Sequence, residues 1–238
     1  MRASTGNFRY FPWLARDVAR SAGLLYLLVL VAVTVVLWRM RNSGMLSDPA
    51  TVQRQVFGAM LLVAVLVATG GMVSTDVQQG FYRNWFSKPM APWWYYLQRW
   101  LLGGLVLLST PLIFGGILAL IGSGHGITWS LLASISLGYL LIGSAVFLAS
   151  TVLRWVSLLV FLVSFAQGGL HGIRTFGAEL PGTIDLVYRA LPPFHLVNPS
   201  GPLPAGTDLL HVVGYGAAML ILALLVLTFR PLGSGGRA

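Results

Sequence analysis

The sequence predicts an all-α integral membrane protein. Three observations carry that prediction. Six apolar runs, at 21–38, 56–74, 101–121, 129–150, 155–173 and 209–229, are each long enough to cross a bilayer as a helix, since a hydrocarbon core takes about 20 apolar residues. Charged residues are only 9% of the 238, and mean hydropathy is +0.80. Soluble domains carry about 25% charge, so one transmembrane domain over 1–238 is expected, with no separate soluble domain. The runs are continuous rather than alternating, which argues against a barrel. Helices are the other way for backbone to satisfy itself in lipid.

The elements follow in order. Residues 8–20 place Phe8, Phe11, Ala15 and Val18 on one helical face and Arg9, Arg16 and Arg20 on another. A basic amphipathic segment of this kind suits a helix lying at the membrane surface, with Phe8, Phe11, Trp13 and Arg16 as interfacial anchors. The first run lacks a small-residue cleavage site after it, so a removable signal is not expected. Asp48-Pro49 marks a turn before the second run, which ends in Thr69-Gly-Gly-Met-Val-Ser-Thr75. The third run holds Gly103-Gly104 and Pro111, and a kink is expected near the proline. Gly138 and Gly143 give the fourth a sparse stripe of small residues. The connection at Thr151–Arg154 is so short that the fourth and fifth runs must be antiparallel neighbours. The segment 174–208 has six prolines and some apolar alternation. A structureless loop of that length is uncommon, so short helices folded back at the outer interface are expected.

Charge sets the orientation. With the N-terminus inside, ten basic residues face inward: Arg2, Arg9, Arg16, Arg20, Arg83, Lys88, Arg99, Arg154, Arg230 and Arg237. Five face outward: Arg39, Arg41, Arg54, Arg174 and Arg189. That asymmetry follows the positive-inside rule and puts both termini in the cytoplasm. The net charge of +9 then belongs to membrane topology, and no nucleic-acid partner is expected.

Several chemistries drop out. The chain has no cysteine, so thiolate metal sites, disulfides and cysteine nucleophiles are excluded. No run carries Asp, Glu or Lys deep within it, which argues against an ion-driven carrier. The lone lysine, Lys88, follows serine and lies in no P-loop. Ser144 and the His211-Val-Val-Gly214 stretch suggest an intramembrane serine protease, but Ser144 is followed by Ala145 where a Gly-x-Ser-Gly motif needs glycine.

The functional signal concentrates between the second and third runs. Asp76-Val-Gln-Gln-Gly80 leads into Phe-Tyr-Arg83-Asn-Trp85-Phe-Ser-Lys88-Pro89, and then Pro92-Trp-Trp-Tyr-Tyr-Leu-Gln-Arg99-Trp100 enters the third run. Residues 81–88 suit a short helix, and 93–100 a second amphipathic segment. Aromatic and Arg side chains serve equally at a membrane interface and in a protein docking surface.

This order is similar to the membrane subunits of ABC-2-type exporters. Asp76 stands at the family's first acidic position, Gly80 at its glycine and Pro89 at its proline. Gln78 and Gln79 stand where acidic residues are common, and Arg99 where lysine is frequent. The layout is also similar: an N-terminal interfacial helix, six spans and short outer helices before the last. The resemblance implies that 76–90 is a coupling helix, with Asp76, Gly80, Arg83, Trp85, Lys88 and Pro89 meeting an ATPase. It implies a non-catalytic permease, a homodimer embedded in lipid with two copies of a separate ATP-binding subunit. No cofactor is expected on this chain; ATP and Mg would sit on the partner. The location would be a bacterial inner membrane and the cargo amphiphilic. A non-catalytic scaffold or assembly factor is the alternative, as is a subunit of a haem or metal-maturation exporter. For the last, His125, His171, His195 and His211 all fall on the outer side, but no two are at i, i+3 or i+4, so no metal site is assigned.

Overall fold

The computed structural model describes residues 11–12, 14–16, 31, 34–35, 38–39, 42–44, 48–69, 73, 76, 91–120, 126–153, 156–176 and 181–229. Those residues are mostly helical and include no strand. The long elements are α1 (Pro49–Thr69), α2 (Pro92–Leu120), α3 (Trp129–Val152), α4 (Val156–Thr175), α5 (Gly182–Ala190) and α6 (Thr207–Phe229). Of the helices among the described residues, α2, α3 and α6 are long and apolar enough to cross a membrane. The run at 21–38 lies almost wholly outside the described residues.

Local chemistry accounts for the helix starts. Asp48 caps α1: its carboxylate accepts from the amides of Ala50 (3.2 Å) and Thr51 (3.0 Å) and from the Thr51 hydroxyl (2.6 Å). Pro49 takes the first helical position, where its missing N–H costs nothing. Thr128 caps α3 by accepting from the Leu131 amide at 3.2 Å. The helix α2 begins at Pro92, so the aromatic segment 93–100 and the third apolar run form one element. It continues through Pro111, while the Ser109 and Thr110 hydroxyls donate back to the Val106 carbonyl at 2.7 and 3.1 Å. Leu153, with extended backbone, stops α3.

The hub is α3, which packs against α1, α2, α4 and α6. In its most apolar 18-residue stretch 61% of the residues are buried, against 44% for α2 and 22% for α6. That ranking leaves α6 at the periphery with Leu210, Ile221, Leu222 and Phe229 exposed. Midway along α3 the backbone widens into one π turn, Tyr139–Gly143. Tyr139 there lies beside the Trp100 ring, 5.0 Å between centroids, and its hydroxyl donates to the Trp100 carbonyl. Gly104 makes room for it, because a Cβ at 104 would come within 2.8 Å of Tyr139 Cε1. On the other side Gly216 of α6 lets α3 approach: a Cβ there would meet Leu140 Cγ at 2.8 Å and the Leu140 carbonyl oxygen at 3.0 Å. Turns of the π type recur where a helix is shaped for a neighbour or a site.

Between α4 and α6 the chain forms α5 and a 3₁₀ turn, Phe194–Val197. That turn packs on α4, α3 and α6. Just beyond it Asn198 and Ser200 reach Gly58 of α1, where a Cβ would meet Ser200 Oγ at 2.8 Å.

Candidate functional site

Asp76, the first residue of the segment expected to couple, is buried and helical. Its Oδ2 accepts from Arg99 Nη1 at 2.9 Å, and the Tyr96 hydroxyl also hydrogen-bonds to the carboxylate. Arg99 and Tyr96 lie one turn apart on α2, so their side chains reach the same neighbour. The pair closes a clasp: residues 76 and 99 are held together, and the chain between them is bounded at both ends. Gly80, Arg83, Trp85, Lys88 and Pro89 lie outside the described residues. Near Arg99, Gln98 is fully buried and its amide nitrogen and oxygen have no partner among the described residues.

Of the expected interfacial anchors, Phe8 and Trp13 lie outside the described residues. Phe11 and Arg16 are helical. Phe11 and Ala15 pack against the core, Leu14 is 1% exposed within it, and Arg16 is exposed. The described part of this segment therefore rests its apolar side on the protein.

His125 also lies outside the described residues. Two of the other three histidines, His171 and His195, come together. His171 of α4 stacks on His195 of the 3₁₀ turn, with centroids 4.1 Å apart and planes at 23°. Tyr188 of α5 completes the group: its hydroxyl lies 3.0 Å from His171 Nδ1 and 3.5 Å from His195 Nε2. Gln167, one turn before His171, places Nε2 3.0 Å from His195 Nδ1. Arg174 lies 5.1 Å from the centre of the Tyr188 ring and 3.5 Å from Asp185, which also accepts from Arg189 at 2.8 Å. Burial, then His171 and His211, push the His195 imidazole below its ordinary pKa, while Asp208 opposes them. His211 itself packs on Tyr215, 4.9 Å between centroids.

Sequence reasoning missed this gathering. His171 and His195 are separated by the proline-containing connection, and no helical spacing links them. The available signal was the amphipathic helix Gly182–Ala190, which returns Tyr188 to α4 and carries Asp185 and Arg189 on one face.

No family model, curated protein or solved structure matches the chain.

Proposed function

We propose that the chain is the permease subunit of an ABC-2-type exporter. Six spans would bring both termini to the cytoplasm, two copies would enclose the path, and two separate ATPase subunits would drive an amphiphilic or lipid-like cargo outward. The single observation that carries this reading is the clasp between Asp76 and Arg99. A segment that transmits force must be tied to the helices it moves. The clasp ties Asp76, the first residue of the proposed coupling segment 76–90, to α2, itself apolar enough to span. Motion of residues 77–90 would then reach α2 through an ion pair rather than through a slack loop. α2 in turn packs on α1, α3 and α6, so a displacement at its start is shared by the bundle. The near absence of charge from the apolar helices suits an amphiphile better than an ion.

The test is mass spectrometry and ATP hydrolysis on the chain purified in mild detergent. The reading expects a near-stoichiometric P-loop ATPase. Gly80→Leu and Pro89→Ala should lower cargo-stimulated hydrolysis at least tenfold while expression is unchanged. Purification without any ATPase would overturn it and leave a membrane scaffold as the reading to pursue.

A further inference from the structure

Two histidines far apart in the chain share a ring face, and the exporter reading gives them no task. His171 of α4 and His195 of the 3₁₀ turn are both half-buried and stack at 4.1 Å with planes 23° apart. Stacked rings point their nitrogens edgewise, so each imidazole is served by its own neighbour. His171 Nδ1 meets the Tyr188 hydroxyl of α5 at 3.0 Å, and His195 Nδ1 meets Gln167 Nε2 of α4 at 3.0 Å. We infer that the stacked pair is a proton-operated latch. It holds the segment 182–197 on α4 while at most one of the two rings is charged, and it opens when both are.

The neighbours tolerate a proton on either ring taken singly. A hydroxyl donates to a bare Nδ1 or accepts from Nδ1–H, so Tyr188 serves His171 in both states. Gln167 does the same for His195: its nitrogen donates to a bare Nδ1, or its oxygen, with the amide turned over, accepts from Nδ1–H. Either way one atom of this 1% exposed amide is left without a partner among the described residues, as its oxygen is now, so the exchange favours neither state. What the group cannot hold is two charges. Like charges as close as these rings repel even at a partly wetted site, whichever ring took the first proton.

The surroundings do not supply the missing anion. From α4, Arg174 lies 5.1 Å from the centre of the Tyr188 ring. From α5, Asp185 is already shared by Arg174 and Arg189. From α6, His211 works against a charge on His195 and Asp208 for it, and burial outweighs both. The helix α3, which also packs on the turn, carries no charged side chain. The sign follows. A histidine whose pKa is lowered in the docked state contributes docking that is complete above the free-ring value of about 6.5 and is lost as pH falls. The latch does not rest on the exporter reading.

Hydrogen exchange of the full chain in lipid nanodiscs tests it, read on peptides covering 182–197 with α3 as the reference. Dividing by the rate of the unfolded chain at each pH removes the intrinsic dependence. Protection should be constant above about pH 7 and fall below about pH 6, by up to about tenfold per unit, because release takes up one proton. His171→Asn and His195→Asn each remove one titrating ring and leave an amide for its neighbour, so protection should stop responding to pH in both. His211→Asn leaves the stack whole and should keep the response. Equal protection at about pH 8 and about pH 5, or a wild-type response in either single-ring variant, overturns the latch. So does a response that vanishes in His211→Asn. A variant that also exposes α3 has lost its fold, and histidine NMR on the wild-type chain then decides. The two rings should titrate more than about one unit apart, and coincident titration overturns the latch.

Discussion

Removing the charge of Asp76 isolates the clasp from everything else in the bundle. Asp76→Asn keeps the shape and leaves an amide oxygen for the Tyr96 hydroxyl, but Arg99 loses its anion. The Arg99 and Asp76 side chains are 23% and 9% exposed, with 2.9 Å between the paired atoms. Breaking a fully buried pair costs about 3–5 kcal/mol, whereas an exposed one is worth about 0–1 kcal/mol. This pair lies between those limits, and the exposed part of the guanidinium lets water compensate some of the loss, so about 2 kcal/mol is expected. Arg99→Gln should cost a similar amount by stranding the carboxylate. The assay is a double-mutant cycle read by unfolding in mixed micelles, with tryptophan fluorescence as the signal. If the clasp is a unit, the double variant costs less than the two singles together by about 1–2 kcal/mol. Additive losses, or single variants within about 0.5 kcal/mol of wild type, would refute the clasp and with it the mechanical link to α2.

Two further expectations follow from packing and charge. Gly216→Ala forces a methyl group against the Leu140 backbone at 3.0–3.1 Å and should destabilise by about 1–3 kcal/mol. Gly214→Ala, with nothing within 4 Å, should be neutral or stabilising in the same unfolding assay; equal effects at both sites would mean that α3 and α6 do not touch there. At Asp48, the bond from the Thr51 hydroxyl, then those from the Thr51 and Ala50 amides, hold the carboxyl below its ordinary value of 3.8. A depressed carboxyl contributes stability that is fully present above its unfolded pKa and is lost as pH falls through the lower folded value. The stability gap between wild type and Asp48→Ala should therefore be constant above about pH 5 and close on acidification. Thermal unfolding against pH reads this directly, and a gap that does not change with pH would show that the cap does not depend on the charge.

The sequence by itself determined where three of the six expected apolar helices lie, because length and hydropathy act residue by residue. The runs at 129–150 and 209–229 fall within α3 and α6, and residues 101–120 of the third run fall within α2. Local signals also sufficed at helix starts: Asp48-Pro49 opens α1 through contacts only two or three residues away. The short helices in the proline-rich segment were expected because a structureless loop of that length is uncommon. What depends on contacts distant in sequence was not legible. Asp76 and Arg99 were named separately by resemblance, but only the folded chain could bring them together as an ion pair. The π turn at Tyr139–Gly143 has no apolar period of its own; it coincides with Tyr139 settling over Gly104 and Leu140 against Gly216. His171, Tyr188 and His195 come from three elements, and chain reversal at α5 and the 3₁₀ turn alone brings their rings together. Hydropathy fixes which segments leave water, since each residue's transfer is nearly independent of the others. Tertiary structure decides which polar groups meet, since a buried polar group must find a partner wherever the folded chain supplies one.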